Sequence, residues 1–165
     1  MEEINVVAAT KQEQYEQLIP QIISLIADES NSIANMANIV AALKQRFTYY
    51  SWAGFYLWDS KKSELVLGPF QGKIACTRIA IGKGVCGTAA HEKKTIVVSN
   101  VNEFRGHIFC DGDSKSEIVV PIIGDTKLFG VLDVDSHSYN SFDDTDKKYL
   151  EQLITLTQKK ILLYL

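Results

Sequence analysis

The chain has few of the residues that staple or punctuate a small secreted protein: three cysteines and three prolines in 165 residues. An odd cysteine count without framework spacing excludes a disulfide-stapled secreted fold. Reduced thiols in the cytoplasm are the expected state, where a disulfide is transient and catalytic or sensing. No apolar run of roughly eighteen residues exists, which excludes a membrane-spanning helix. The first twenty residues carry Glu2, Glu3 and Glu13 and lack an apolar core of signal-peptide length. Positive charge is also short, with 17 Lys and Arg against 20 Asp and Glu. A formal charge of -3 leaves no basic footprint, so nucleic acid is not an expected partner. There is no Cys-x-x-Cys pair for a zinc knuckle and no Gly-x-Ser-x-Gly elbow for a serine hydrolase. Gly82-Lys83-Gly84 is only a fragment of a phosphate loop. Three cysteines with His91 or His107 offer zinc donors in kind, but their spacing fits no common site, so no metal and no cofactor are expected.

What is present is an ordinary globular composition, 46% apolar and 22% charged, in a length suited to one domain. From Met1 to the helix-like end the chain is expected to be a single domain, 1–165, with no room for an effector domain. Thr10 and Glu13 match a capping box, and the apolar spacing predicts a helix over Lys11 to Asp28, kinked near Pro20. A second helix is predicted over Asn31 to Phe47. Strands are predicted at Ser51 to Asp59, Glu64 to Leu67, and Lys73 to Ile79, followed by a short helix over Val85 to Glu92. A small β segment follows at Thr95 to Val98. Glu117 to Ile123 and Leu128 to Asp135 form a predicted hairpin, and Ser141 is the expected cap of the last helix. Hairpin-connected strands with helices at the chain ends give an α+β class with a central antiparallel sheet.

Two features carry chemistry. Asp133 and Asp135, two apart in a strand, point to one face together with Val131 and Phe129, and Glu117 begins the neighbouring strand. Asp133 could instead sit exposed, with Asp135 only marking the strand's end. Converging carboxylates cannot all ionise cheaply, so one is expected to hold its proton at neutral pH while another keeps a charge for a cationic group. That predicts a pocket for a small cationic or zwitterionic substrate. The second feature is the thiols. Cys110 lies in a long segment, Ser99 to Ser116, whose length is itself a mark of function. Cys86 starts a short helix, where free N–H groups favour a thiolate, and Cys76 is expected inside a strand. Together they are read as one thiol redox site. Nearby acids raise the pKa of Cys110, so its activation must come from loop N–H donors, a basic neighbour or substrate.

At these residues the sequence resembles the free methionine-(R)-sulfoxide reductases. The resemblance runs through Trp52-Ala53-Gly54-Phe55-Tyr56, Leu67-Gly68-Pro69-Phe70-Gln71-Gly72, Cys76-Thr77-Arg78-Ile79 and Gly84-Val85-Cys86-Gly87-Thr88. It continues in Gly106-His107-Ile108, Cys110-Asp111, Ser116-Glu117-Ile118-Val119 with Pro121, and Gly130-Val131-Leu132-Asp133-Val134-Asp135-Ser136. Ala80 and Phe109 depart from it mildly. It implies a GAF-like fold, a sheet of about six strands with helices mainly on one side. By matched position it implies Cys110 as nucleophile, Cys76 as resolving thiol and Cys86 as an auxiliary or second resolving thiol. Glu117, Asp133 and Asp135 match the substrate-binding acids, and Trp52 and Tyr56 the aromatic wall for the S-methyl end. The implied activity is reduction of free L-methionine-(R)-S-oxide through a sulfenic acid and an intramolecular disulfide, recycled by thioredoxin, in a cytoplasmic homodimer. The alternative from another class is a non-catalytic GAF sensor of a small molecule, since fold alone does not give chemistry.

Overall fold

The computed structural model describes residues 4–106, 108 and 111–162. Cys110, the expected nucleophile, lies outside the described residues, as do His107 and Phe109.

Helix α1 (Lys11–Leu25) begins as predicted: Thr10 Oγ1 accepts the Glu13 N–H and the Glu13 carboxylate accepts the Thr10 N–H. It buries Tyr15, Leu18, Ile19 and Ile22, a helical spacing, and keeps Pro20 on the outer face. Helix α2 (Ser32–Arg46) is capped by Asn31, whose side chain accepts from the Ala34 N–H. Strands β1 (Trp52–Asp59) and β2 (Glu64–Gln71) form a hairpin. β3 (Arg78–Ala80) leads to α3 (Gly84–Glu92) and β4 (Ile96–Val98). β5 (Ser116–Gly124) and β6 (Lys127–Ser136) form the second hairpin, and α4 (Asp144–Ile161) closes the described chain.

The six strands make one antiparallel sheet in the order β3-β2-β1-β6-β5-β4. Strand alternation divides its residues cleanly. Ala53, Phe55, Ile118, Val120, Ile122, Leu132 and Val134 face α1, α2 and α4 in the larger core. Trp52, Tyr56, Val119 and Val131 face the other way and pack with Val85, Cys86, Ala89 and Ala90 of α3. The site belongs to this second, thinner side. None of the described helices is long and apolar enough to cross a membrane.

Several details differ from the sequence reading, among them β2, which runs on to Gln71 and does not stop at Leu67. The strand expected over Lys73 to Ile79 is only β3, because residues 72–77 leave the ladder in irregular conformation. Gly72 turns the chain there at φ 139°, and a Cβ would meet the Trp52 ring at 2.4 Å. The freed backbone is held by side chains instead, as described below. Phe129 packs with the helix-side core, not beside Val131, since the β5–β6 register shifts at Ile122/Ile123 and Gly130 adopts φ 157°. The cap of α4 is Asp143, whose carboxylate accepts the N–H groups of Thr145 and Asp146. Ser141 donates to the Ser138 carbonyl and Ser136 Oγ and so stabilises the preceding turn. Finally, α1 ends at Leu25 and not at Asp28.

Candidate active site

Register alone brings the three acids together. Trp52 of β1 pairs with Asp135 of β6, which pairs with Glu117 of β5, and Gly54 pairs with Asp133. Strand alternation then puts all of them on the α3 side, where a pocket is lined by Trp52, Tyr56, Cys86, Glu117, Asp133 and Asp135 among others. Glu117 and Asp133 are each only 6% exposed, which removes the alternative of an exposed Asp133. Asp135 is half-buried at the same wall.

Burial governs their ionisation. It pushes Asp133 up to about 6, even though hydrogen bonds from Cys86, Glu117 and the Val134 N–H favour the charged form. Burial and then the Asp133 and Asp135 charges push Glu117 well up. Burial and then the Asp133 charge do the same to Asp135. Asp133 is therefore the most readily ionised of the three, and burial with the neighbouring charge biases Glu117 and Asp135 toward their protonated forms. Asp133 Oδ1 is buried with no hydrogen-bond partner among the described residues. A buried, charged oxygen without a donor is costly, and a cationic ligand group would satisfy it.

Cys86 behaves differently from the sequence expectation of a thiolate-favouring helix start. Its side chain is buried, and its Sγ lies 3.9 Å from Glu117 Oε1, as a weak donor to the acids. Burial first, then the Asp133 and Glu117 charges, push its thiol well above the ordinary range. Desolvation and two carboxylates outweigh the field of one short helix. Cys86 is a free thiol, whereas Cys76 is disulfide-bonded.

Trp52 and Tyr56 form the aromatic wall, with ring centroids 6.0 Å apart, and Phe70 stacks on the far side of Trp52 at 5.4 Å. Each also has a second task that spacing does not reveal. Trp52 Nε1 donates to the Lys73 carbonyl at 3.1 Å and Tyr56 Oη donates to the Cys76 carbonyl at 3.0 Å. The irregular 72–77 segment, with Cys76 in it, is thus fastened to the pocket wall through its own backbone. Burial pushes the Tyr56 hydroxyl far above its ordinary range, so it stays a proton donor to that carbonyl.

Sequence reasoning missed Lys73, Asp111, Asp113 and His137. Lys73 Nζ lies 2.6 Å from Asp113 Oδ2 and 3.4 Å from Asp111 Oδ1, and His137 Nε2 lies 3.1 Å from Asp111 Oδ2. Opposite charge is their only sequence signal, and the pairs are separated by 38 and 40 positions along the chain. Among the described residues, two groups have ligand atoms within 4.8 Å of one another in the manner of metal ligands: Cys86, Glu117 and Asp133, and also Asp111, Asp113 and His137. In the second group the Lys73 ammonium already takes the cation's place.

A six-stranded antiparallel sheet with four helices packed on its two sides is an α+β architecture of the GAF type. The GAF domain family matches residues 30–158, and the chain belongs to that family. Within it the chain groups with the free methionine-R-sulfoxide reductases, which are oxidoreductases. The enzyme of that name from Saccharomyces cerevisiae is 48% identical over 155 residues, 90% of this chain and 86% of the yeast protein. GAF domain-containing protein A of Dictyostelium discoideum is 54% identical over 155 residues, 94% of this chain and 97% of its own. Free methionine-R-sulfoxide reductase from Neisseria meningitidis, solved in complex with its substrate, superposes with TM-score 0.96 at 45% identity, covering 99% of this chain and 97% of that one.

Proposed function

We propose that this chain reduces free L-methionine-(R)-S-oxide to L-methionine, with Cys110 as nucleophile. The observation that carries the reading is the pocket wall where Glu117, Asp133 and Asp135 converge beside Trp52 and Tyr56, leaving Asp133 Oδ1 without a donor. The charged Asp133 accepts the substrate ammonium. The flat rings of Trp52 and Tyr56 receive the S-methyl end. Burial of the acids selects a free amino acid, since a peptide would place an amide where the ammonium is needed.

The Cys110 thiolate attacks the sulfoxide sulfur while protonated Glu117 or Asp135 donates to the sulfoxide oxygen. The oxygen passes to Cys110 as a sulfenic acid, and methionine leaves two electrons richer. Cys76 then condenses with the sulfenic acid, releasing water and forming a disulfide. An external dithiol, thioredoxin by family resemblance, reduces that bond by exchange. The disulfide-bonded state of Cys76 supports its resolving role, and burial of Cys86 among acids makes it the auxiliary thiol. A cytoplasmic homodimer rests on the resemblance alone.

The test is to incubate the protein with racemic free methionine sulfoxide and dithiothreitol. Methionine should appear with consumption of the R form only, and Cys110→Ser should abolish it. No methionine, or consumption of the S form, would leave the small-molecule sensor as the better reading.

A further inference from the structure

The structure assigns a positioning role to a charged clasp at the edge of the pocket, which Asp111 helps to line: Lys73, with Asp111, Asp113 and His137, docks the Cys76 segment onto the loop that follows Cys110. It rests on the sulfoxide reduction proposed above and concerns the step after methionine has formed.

Residues 72–77 have no strand partner over most of their length. They are tied at Leu67 N to Thr77 O (2.9 Å), Trp52 Nε1 to Lys73 O and Tyr56 Oη to Cys76 O. These bonds hold the segment to the sheet, and the Cys76 sulfur is engaged in a disulfide besides. The loop is fastened independently, to β6 through Lys115 N to Ser136 O (2.8 Å) and to the turn at Val101–Glu103 through Val101 N to Lys115 O (2.9 Å). Between them the Lys73 side chain reaches across to Asp113 at 2.6 Å and Asp111 at 3.4 Å. The acids are organised to receive it. Asp111 Oδ1 accepts the Asp113 N–H at 3.0 Å, and its other oxygen meets His137 at 3.1 Å, which sets the carboxylate's orientation from the turn just after β6. Hydrogen bonding to Asp113 holds Lys73 up, and the same contact holds Asp113 down. Partial burial raises Asp111, but the Asp113 N–H, His137 and Lys73 together bring it below the ordinary carboxylate range.

The consequence is kinetic. Condensation of a Cys110 sulfenic acid with the Cys76 thiol forms the S–S bond and expels water, and it needs the two segments docked. Lys73 makes its ion pairs with Asp111 and Asp113, so it acts by raising the fraction of time in which the two sulfur atoms are within reach. An exposed pair of this kind contributes modestly, so its loss should slow disulfide formation roughly two- to fivefold without stopping it.

One equivalent of substrate is given to reduced protein without reductant, and three signals are followed: methionine, free thiols, and adducts of a cyclic dione that traps sulfenic acids. In Lys73→Met the methionine burst should match the wild type, while thiol loss slows and the dione adduct accumulates. Lys73→Arg should restore wild-type behaviour. High salt should slow thiol loss in the wild type and leave Lys73→Met unchanged, because only the former has an exposed ion pair to screen. Equal thiol-loss rates in the two proteins, a reduced methionine burst in Lys73→Met, or an absent salt effect would each overturn the clasp. A wild type that makes no methionine would instead overturn the reduction reading, which is a separate failure.

Discussion

Asp133 shows most directly how the pocket trades stability for binding. Its folded-state pKa is raised from 3.8 to about 6 by burial, so the unfolded chain ionises first. Stability from this group is therefore fully present below its unfolded value and is lost as pH rises to about 6. Beyond that the deficit is constant at about 3 kcal/mol. Asp133→Asn keeps the shape and removes the charge. At pH 7 it should raise stability by about 1–3 kcal/mol, a rise of roughly 2–10 °C in melting temperature, and the gain should vanish below about pH 4. The same variant should raise the KM for sulfoxide at least tenfold, on the order of one lost charge-assisted bond. Thermal scans at the two pH values check the first claim; a lowered melting temperature at pH 7 would mean the hydrogen bonds to the ionised form outweigh its burial.

At the scale of an element, β6 owes its facing to a single irregularity. Gly130 lies against the neighbouring β1 backbone, where a Cβ would sit 2.2 Å from the Tyr56 carbonyl oxygen. Backbone on both sides gives it nowhere to move. Gly130→Ala should cost more than about 2 kcal/mol by denaturant unfolding. If it folds at all, the altered register at Ile122/Ile123 should weaken substrate binding, since the same strand carries Asp133 and Asp135. Wild-type stability in this variant would show that β1 and β6 can separate locally without harm. The contrast with the neighbouring 72–77 segment is instructive. That segment has little ladder to lose, and its position depends on two side-chain donors twenty or more residues away.

For the whole molecule, the end opposite the pocket is fixed by one buried carboxylate. Asp146 of α4 is fully buried and accepts from Tyr15 at 2.8 Å, Tyr49 at 2.7 Å and Lys11 at 2.6 Å, while Tyr50 hydrogen-bonds Tyr15. These donors come from α1 and from the turn before β1, so a single side chain joins both chain ends to the sheet. Asp146→Ala leaves the Tyr15 and Tyr49 hydroxyls short of an acceptor and takes one of two carboxylates from the half-buried Lys11 ammonium, and should cost about 2–5 kcal/mol in chemical denaturation. The pocket lies on the other face of the sheet, so KM measured well below the new melting temperature should hardly change. A loss under about 1 kcal/mol would show that the network is neutral to folding.

What the sequence by itself determined is whatever obeys a local period or a local bond. Thr10 and Glu13 cap α1 because their partners are three residues apart, and Asp133 and Asp135 share a face because strands alternate. The motifs around Trp52, Gly84 and Glu117 were also enough to indicate the family. Tertiary structure alone decided matters that hinge on distant partners. It buried Cys86 between carboxylates and so reversed its expected ionisation. It turned Phe129 to the opposite core through a bulge, released Cys76 from a strand, and brought Lys73 to Asp111. The physical reason is common to all four: desolvation, register shifts and long-range ion pairs depend on which chain segment arrives alongside, and no spacing rule within one segment contains that information.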